Sequence, residues 1–382
     1  MESPHRISIV GIGKLGLSMA GALASRGFQV TGVDVRRDVV EAVNRGECPL
    51  VETGLADLIC ENQSRIRATT SIAKGVEASD ATFIVVATPL KADQRFSNAY
   101  LEEAVKSIGQ ALQNKTEPHL VAVVCTVMPG TTENIVKPLL EKHAGRKCGD
   151  RLMLAYNPEF IALGTVVRDF LNPDWVLVGE DSPAAGDCLE AFYRKACKNN
   201  PPIRRMNPTN AEIAKLAQNC FVTMKISFAN SLAAICEHVP NADARVVLDA
   251  ISNDSRVGGK AIRPGLGFGG PCFPRDNVAF QSFATEFGME APLASAVQQI
   301  NSTIPAHIMK RVRAHIQPPS TIAILGAAYK PNTDIVEESH AVILAQRLAS
   351  AGFRVRISDR LARTRLESEA GELFDVVSGE AD

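Results

Sequence analysis

Residues 6–16 read Arg6-Ile-Ser-Ile-Val10-Gly11-Ile-Gly13-Lys14-Leu15-Gly16, a short β-branched run that leads directly into a Gly-x-Gly-x-x-Gly pattern. Small and apolar residues with helical character follow, and a second strand pattern, from Phe28, ends in Asp34. This acid stands about 18 residues past the third glycine, where a dinucleotide-binding fold places its ribose-binding acid. The stretch therefore predicts an N-terminal Rossmann-like domain.

The glycines and the acid have separate expected roles. Gly11 makes the tight turn, Gly13 lets the backbone approach a pyrophosphate, and Gly16 packs the helix against the strand. Asp34 accepts the ribose 2′-hydroxyl and favours NAD over NADP, although Arg36 and Arg37 follow closely and leave use of NADP open. A glycine-rich turn that binds no nucleotide is the alternative. The candidate cofactor-binding residues of this unit are Gly11, Gly13, Lys14, Leu15, Gly16, Asp34 and Arg36.

Two continuous apolar runs, 81–87 and 120–126, extend the βα alternation. Such runs suit parallel strands that are covered on both faces. Polar residues stand at the end of each run, and ligands bind at the carboxyl edge of an open α/β sheet. The candidate cofactor-binding residues at this edge are Thr88, Pro89 and Thr126. With a further strand from Trp175 and a helix after it, the pattern predicts a doubly wound α/β domain over residues 1–200.

The middle of the chain has a helical pattern. The longest run, about 30 residues from 209 to 238, is long enough to carry a dimer interface. Lys215 and Asn219 lie one turn apart on it, and such a pair taken alone is usually solvent-facing. Another long helix, from 293 to 316, is expected to be interrupted near Pro305.

The stretch Gly267–Asp276 places the thiol of Cys272 after three glycines and between two prolines, with a carboxylate four residues later. Glycine allows close backbone approach and proline fixes the turn, which suits the presentation of a nucleophile. A surface turn with an incidental thiol is the alternative. Another acid, Glu159, follows Pro158 and is expected on a shaped loop, as a functional group or simply as an exposed one.

Pro318 and Pro319 mark a boundary, after which one strand, one helix and another strand are expected before residue 382. One βαβ unit cannot easily cover both faces of a sheet, so we expect this third part to be incomplete. We therefore predict three domains: an α/β domain at 1–200, an all-helical domain at 201–317 that carries the cysteine stretch, and a partial Rossmann-like domain at 318–382.

Composition excludes several classes of partner. The chain has 41 basic and 42 acidic residues, which argues against nucleic acid or a membrane surface as the main partner. The nine cysteines form no CxxC or Cys/His cluster, so we expect reduced thiols, a cytoplasmic location and no metal site. No signal segment is visible and no apolar run approaches 18 residues, so we expect no membrane span.

Taken together, the motifs resemble the UDP-glucose/GDP-mannose dehydrogenase family, which oxidises the C6 alcohol of a nucleotide sugar to a carboxylate with NAD. They are the glycine pattern at 11–16, Val33-Asp34, Cys125 to Thr132, Asn157 to Phe160, Ala211-Glu212 with Lys215 and Asn219, Asp254 to Arg256, Gly267 to Asp276, and Ala328 to Asp334. The resemblance implies the same activity here, on a nucleotide sugar that we expect to be a UDP-hexose, and a homodimer formed through the 209–238 helix.

The resemblance also implies a covalent route. A first hydride transfer gives an aldehyde, the thiol captures it, the hemithioacetal loses a second hydride, and the thioester is hydrolysed, with two NADH formed per sugar. The implied catalytic residues are Cys272 as nucleophile, Lys215 and Asn219 beside the oxyanion, Asp276 with Thr126 and a water in proton transfer, and Glu159 in hydrolysis. The implied substrate-binding residues are Phe160, Gly267, Phe268, Gly269, Lys330 and the phosphate-neutralising Arg256, Lys260 and Arg263, of which Arg256 crosses the dimer interface.

Two positions depart from the family pattern. Many members carry a second acid near the cofactor where this chain has Leu163, and an arginine that can face the NAD pyrophosphate where it has Glu337. Two other functions therefore stay open. A two-electron hydroxy-acid-type dehydrogenase would use Lys215 and Asn219 but would not need Cys272, and a sugar-nucleotide-binding relative could have lost turnover.

Overall fold

The computed structural model describes residues 3–149, 151–370 and 373–377. It divides into two compact units, Met1–Lys215 and Leu216–Asp382, and the division falls inside one long helix. The structure does not test the predicted division into three domains, which stays a prediction.

The first unit is built on a sheet that, within the described residues, has eight strands in the order β3-β2-β1-β4-β5-β6-β7-β8. All neighbouring strands are parallel except β6 and β7, which pair antiparallel. The strands are β1 Arg6–Val10, β2 Gln29–Val33, β3 Ile66–Thr69, β4 Ala81–Ile84, β5 His119–Val123, β6 Leu152–Tyr156, β7 Val176–Glu180 and β8 Ile203–Met206. The predicted α/β class and doubly wound sheet are confirmed, and the antiparallel pair adds a feature that the apolar runs did not predict.

Helices cover both faces of this sheet, because alternate residues of each strand point to opposite sides. In β5 and the residue after it, Leu120, Ala122 and Val124 belong to one apolar cluster, whereas Val121 and Val123 belong to the other. The helices are α1 Lys14–Ser25, α2 Arg37–Asn44, α3 Leu55–Glu61, α4 Ile72–Glu77, α5 Ala99–Leu112, α6 Lys137–Ala144, α7 Val166–Leu171 and α8 Pro183–Ala196, with a 3-10 turn at Gln63–Arg65 and a π-helical turn at Thr132–Val136. This double covering explains the continuous apolar runs in the sequence.

The second unit begins with helices and ends with a small parallel sheet of order β11-β10-β9. Its helices and strands are α9 Pro208–Cys236, which starts in the first unit, α10 Ala244–Ile251, α11 Phe273–Thr285, α12 Pro292–His315, β9 Thr321–Leu325, α13 His340–Ser350, β10 Arg354–Ser358, α14 Arg363–Ala370 and β11 Asp375–Val376. The helical middle and the small C-terminal sheet were both predicted and are confirmed.

The expected interruption near Pro305 is wrong, because α12 runs through this residue without a break. Pro305 lies on the buried face of α12, with Ala294, Val297 and Asn301. A proline inside a helix removes one backbone hydrogen bond. Here the buried packing of the ring against the rest of the unit accompanies an unbroken helix.

Helix α9 exposes a stripe of apolar residues and buries a stripe of polar ones. Phe221, Phe228 and Ile235, spaced by seven, are more than half exposed at 58%, 52% and 60%. The buried polar residues repeat at a helical period and are Glu212, Lys215, Asn219, Thr223, Ser227 and Asn230. By length and composition alone α9 is long and apolar enough to cross a membrane, a test that core helices also pass. Its buried polar residues indicate a helix that packs against protein.

Candidate functional site

The glycine turn after β1 has an open side. Gly11 has a φ of +95°, and a Cβ there would overlap the main-chain oxygen of Val85. A Cβ at Gly16 would overlap the main-chain oxygen of Gly11, whereas a Cβ at Gly13 would meet no atom within 4 Å. Neighbouring backbone thus fills the space at Gly11 and Gly16. The open space lies at Gly13, where a pyrophosphate would need to approach.

Gly13 is also the N-cap of α1. All residues of the first turn of α1 are described, and none of them is acidic. The N–H groups of such a turn favour an anion, so these residues fit the diphosphate of a dinucleotide. Asp34 follows β2 and accepts hydrogen bonds from the main-chain N–H groups of Ile12 and Arg36, both at 3.0 Å. The Arg36 side chain pairs with Asp38 at 2.5 Å. Lys14 donates to the main-chain oxygen of Val51 at 3.1 Å.

The carboxyl ends of β4 and β5 meet as the sequence predicted for a parallel sheet. Thr88 Oγ1 donates to the main-chain oxygen of Thr126 at 2.7 Å. The loop that follows Thr126 is held by Glu212 of α9, a fully buried carboxylate that accepts from Gly130 N at 2.5 Å and from Thr132 N at 2.8 Å. Thr132 Oγ1 also donates to it, at 2.6 Å. Glu212 therefore fixes the start of α9 to the loop that carries Thr126.

Glu159 lies on the loop after β6 and has polar partners from two helices, α8 and α9. Tyr193 of α8 lies with its hydroxyl 2.9 Å from Glu159 Oε1 and 2.7 Å from Asn157 Oδ1. Lys215 Nζ donates to the main-chain oxygen of Glu159 at 2.7 Å and lies 4.6 Å from the centre of the Phe160 ring. Burial raises the pKa of the Glu159 carboxyl to about 7, while the charge of Lys215 acts in the opposite direction.

In the second unit, Cys272 is the N-cap of α11 and its side chain is exposed. A thiolate at a helix N-terminus is stabilised by the N–H groups of the first turn. Asp276 lies one turn later, fully buried, and its Oδ2 accepts from Asn219 Nδ2 of α9 at 2.6 Å. Arg275 Nε lies 3.2 Å from the other carboxylate oxygen. The turn that carries the thiol is thus anchored to α9 through Asp276.

The glycines before Cys272 are packed against other parts of the second unit. A Cβ at Gly267 would overlap Asn301 of α12 and His340 of α13, and a Cβ at Gly269 would overlap the main-chain oxygen of Glu338. Gly270, with a φ of +79°, lies against the Tyr329 ring. Its N–H donates to the main-chain oxygen of Glu337 at 3.0 Å. These glycines allow the close approach of neighbouring backbone and side chains.

The other predicted substrate-binding residues differ in their surroundings. Phe160 stacks on Trp175 with ring centres 4.7 Å apart, and Phe268 is buried. Arg256 is exposed and pairs with Asp254 at 2.6 Å. Arg263 lines a cavity of about 300 Å³ with Arg245 and Asp249. Lys260 is exposed, and Lys330 lies in the loop after β9. These placements leave their contacts with a substrate as predictions.

Sequence reasoning missed four residues of these clusters: Tyr193, Glu212, Asn301 and Arg275. Glu212 and Arg275 lay within quoted motifs, and no role was assigned to either. At the position of Leu163, the loop is held by Glu52, which accepts from Gly164 N at 2.8 Å and Val166 N at 3.0 Å.

The nine cysteines all lie in the described residues, and none forms a disulfide. Within the same residues, no group of three His, Cys, Asp or Glu side chains could hold a metal ion.

The fold and these clusters define a dinucleotide-dependent oxidoreductase with an exposed thiol. Sequence models of the UDP-glucose/GDP-mannose dehydrogenase family match the chain in three parts: the NAD binding domain at residues 5–197, the central domain at 209–303 and the UDP binding domain at 323–379. The chain belongs to the UDP-glucose/GDP-mannose dehydrogenase family, whose cofactor is NAD.

Individual relatives agree with this assignment. The chain is 35% identical over 380 residues to UDP-glucose 6-dehydrogenase AglM of Haloferax volcanii, covering 98% of this chain and 88% of that protein. It is 35% identical over 358 residues to GDP-mannose 6-dehydrogenase of Pseudomonas putida, covering 93% and 80%. A solved UDP-glucose dehydrogenase from Pyrobaculum islandicum is similar with a TM-score of 0.91 and 33% identity, covering 98% and 86%. The relatives share nucleotide-sugar dehydrogenase activity and differ in their sugar.

Proposed function

We propose that the chain catalyses the NAD-dependent, four-electron oxidation of the C6 alcohol of a UDP-hexose to a carboxylate, with Cys272 as nucleophile. The observation that carries the proposal is the first turn of α11, where the exposed thiol of Cys272 stands one turn before Asp276, which is bonded to Asn219 of α9. A two-electron dehydrogenase has no need of this thiol. NAD, when bound, accepts the hydride that leaves the substrate at each oxidation.

The proposed chemistry takes place at C6 of the sugar. The Cys272 thiolate forms a bond to the C6 aldehyde carbon, and the aldehyde oxygen becomes an alkoxide. Lys215 and Asn219, one turn apart on α9, supply an ammonium and an amide for this oxyanion. A positioned donor of this kind is typically worth ~3 kcal/mol in the transition state. Asp276, with Thr126 and a water, takes up the proton that leaves the alcohol.

Hydrolysis regenerates the thiol. After the second hydride has left, C6 is a thioester; water adds to it, the C–S bond breaks, and the carboxylate product leaves while sulfur takes back a proton. Glu159 assists this step by accepting a proton from the attacking water. Arg256, Lys260 and Arg263 neutralise the substrate phosphates, and Lys330 contacts the nucleotide end. Both pyridine-nucleotide equivalents are reduced before release of the acid.

The choice of UDP follows from two matches: a UDP binding domain over residues 323–379 and a UDP-glucose 6-dehydrogenase as a relative at 35% identity. A GDP-mannose 6-dehydrogenase is equally identical, so the base and the hexose need a direct test. A panel of UDP-, GDP- and TDP-sugars should give NADH release with a UDP-hexose and a product heavier by one oxygen and lighter by two hydrogens. Tight sugar-nucleotide binding with no NADH from any of them would favour the relative that has lost turnover.

The stoichiometry tests the covalent route. The wild-type protein should form two NADH per sugar, whereas Cys272→Ser should stall after the first oxidation or retain its product. Cys236→Ser, a change at the cysteine that ends α9, is the matched control and should turn over normally. One NADH per substrate in the wild type would favour the two-electron hydroxy-acid-type dehydrogenase, and normal turnover by Cys272→Ser would exclude the thioester.

We also propose that two copies of the chain associate through α9. The exposed stripe of Phe221, Phe228 and Ile235 is apolar over four helical turns, while the opposite stripe is polar and buried. A second copy would cover the same stripe of its partner around a two-fold axis. Phe221→Lys with Phe228→Glu should convert a dimer to a monomer in light scattering. A wild-type monomer at micromolar concentration would contradict this.

A further inference from the structure

The first unit contains one continuous line of polar contacts. It runs from the side chain of Glu159 through those of Tyr193 and Asn157 to the main-chain oxygen of Leu177. Tyr193 and Asn157 are almost fully buried, with 1% and 0% exposure. The three contacts measure 2.9 Å from Glu159 to Tyr193, 2.7 Å from Tyr193 to Asn157, and 2.9 Å from Asn157 to Leu177. At these distances each contact requires one hydrogen between its two heavy atoms.

The direction of the line is fixed at its far end. A main-chain carbonyl oxygen only accepts hydrogen bonds, so Asn157 must present its NH₂ group to Leu177. The Asn157 amide therefore turns its oxygen, which also only accepts, toward Tyr193. The Tyr193 hydroxyl has a single hydrogen, and that hydrogen is used in donation to Asn157.

The hydrogen between Tyr193 and Glu159 must then come from Glu159. We propose that Tyr193 is a positioning residue that holds Glu159 in its neutral, protonated form by accepting a hydrogen bond from it. A carboxylate at this place would face the lone pairs of the Tyr193 oxygen at 2.9 Å with no hydrogen between them.

The charged and titratable groups around Glu159 are consistent with a neutral acid. The Lys215 ammonium, from α9, donates to the main-chain oxygen of Glu159 at 2.7 Å. Tyr193 comes from α8, and Cys197, just after α8, has its pKa raised to about 12, chiefly by burial, which keeps this thiol uncharged. Burial raises the pKa of Glu159 to about 7 against the opposing charge of Lys215. A Tyr193 hydroxyl that donated to the carboxylate would also lower this pKa, but its single hydrogen is already used in donation to Asn157. Burial and the direction of the Tyr193 hydrogen bond thus favour the neutral carboxyl, and the charge of Lys215 opposes them.

The inference deepens the proposed function, on which its catalytic consequence rests. A protonated Glu159 must lose its proton before it can accept one from the water that attacks the thioester. Hydrolysis should therefore accelerate as pH rises through about 7. The protonation state itself does not depend on the reaction and can be measured on the protein alone.

The first test is infrared difference spectroscopy of wild type against Glu159→Gln, without substrate. A carboxylic-acid C=O band, absent in Glu159→Gln, should be present at pH 6 and titrate near or above 7. A band that has already disappeared by pH 5 would overturn the proposal. This readout needs no turnover, so it holds or fails independently of the sugar oxidation.

The second test uses Tyr193→Phe, because the sign of the shift separates the two hydrogen arrangements. If Tyr193 accepts from the neutral acid, its removal takes a stabilising bond from that form, and the midpoint of the band should fall by roughly one pH unit. If Tyr193 donates to the carboxylate, the midpoint should rise, and the proposal is wrong. A purely structural role would leave the midpoint unchanged, which also contradicts it.

Turnover supplies a matching profile. In Tyr193→Phe the acidic limb of the hydrolysis rate should move in the same direction as the band, with the Michaelis constant for the sugar little changed. Should Tyr193→Phe fail to fold, the wild-type band against Glu159→Gln still decides the protonation state. A hydrolysis rate flat between pH 6 and 8 together with a titrating band would preserve the protonation inference and remove Glu159 from the hydrolysis step.

Discussion

Asn301 binds the main chain of Phe268 through both ends of its side-chain amide: Oδ1 accepts from Phe268 N at 2.8 Å and Nδ2 donates to Phe268 O at 2.9 Å. Asn301 is the polar member of the buried face of α12, and Phe268 stands four residues before the thiol of Cys272. The conformation of the cysteine loop is therefore set in part by a side chain that need not touch the substrate.

Asn301→Ala should reduce turnover by about tenfold or more. The change leaves one buried N–H and one buried C=O of Phe268 without their partner, at a cost of roughly 1–3 kcal/mol for each group. Ser227→Ala is the matched control, since it removes one buried hydrogen bond, to the main-chain oxygen of Val297 at 3.3 Å, without touching the loop. Steady-state rates and thermal unfolding should be compared. Equal turnover in the two variants would show that Asn301 has no part in holding the loop.

Gly13→Ala and Gly16→Ala should separate cofactor binding from folding. A Cβ at Gly13 meets no atom within 4 Å, so the variant should unfold at the wild-type temperature but bind NAD at least tenfold more weakly, because the methyl group occupies the space of the pyrophosphate. A Cβ at Gly16 overlaps the main-chain oxygen of Gly11, so that variant should be destabilised. Calorimetric titration with NAD measures the first effect. Unchanged NAD affinity in a folded Gly13→Ala protein would place the pyrophosphate elsewhere.

Glu212→Ala should destabilise the first unit by about 3 kcal/mol, because three donors of Gly130 and Thr132 lose a buried acceptor. Glu212→Gln should cost less, since its remaining oxygen can still accept both bonds from Thr132. Glu133→Gln is the control, as this neighbouring acid is exposed and accepts from Thr209 Oγ1 at 2.7 Å. In denaturant unfolding, Glu212→Ala should be the least stable variant, Glu212→Gln should be intermediate, and Glu133→Gln should be the most stable. A Glu212→Ala protein as stable as the control would contradict the clamp.

Acid should destabilise the first unit through His119. Its Nε2 lies 2.8 Å from Thr82 Oγ1 in a buried cluster, and burial lowers the pKa of the imidazole to about 3 from 6.5. The unfolded chain takes up a proton on this group below pH 6.5, whereas the folded chain does not, so stability should fall as pH falls from 6.5 toward 3. His119→Gln should reduce that slope. Unfolding free energies at pH 7 and pH 5 provide the comparison; an unchanged slope would assign the acid sensitivity to other groups.

The sequence predicted what depends on local pattern. The strand 6–10, the glycine turn and the long helix from 209 to about 238 follow from residue periodicity and short motifs, and the structure has them at nearly the same bounds. The direction of β7 was not predictable, because an apolar run reads alike in both directions. Nor was the unbroken α12, since the effect of Pro305 depends on its packing.

The contacts that shape the site were out of reach for a physical reason. Tyr193 lies 34 residues from Glu159, and Asn301 lies 33 residues from Phe268. Tyrosine and asparagine are common in unrelated settings, and neither stands in a motif with its partner. Only the fold brings each pair together, whereas Cys272 and Asp276 are neighbours on one helical turn and could be named from spacing.

The packing of Gly267, Gly269 and Gly270 against their surroundings has a consequence for hydrogen–deuterium exchange. A glycine-rich segment ordinarily exchanges its amides among the fastest in a protein, since it opens at little cost. Here the amides of Phe268 and Gly270 are bonded to Asn301 and to the main chain of Glu337, so deuterium should enter them slowly. The segment richest in conformational freedom would then be among the best protected, with rigidity supplied by its neighbours.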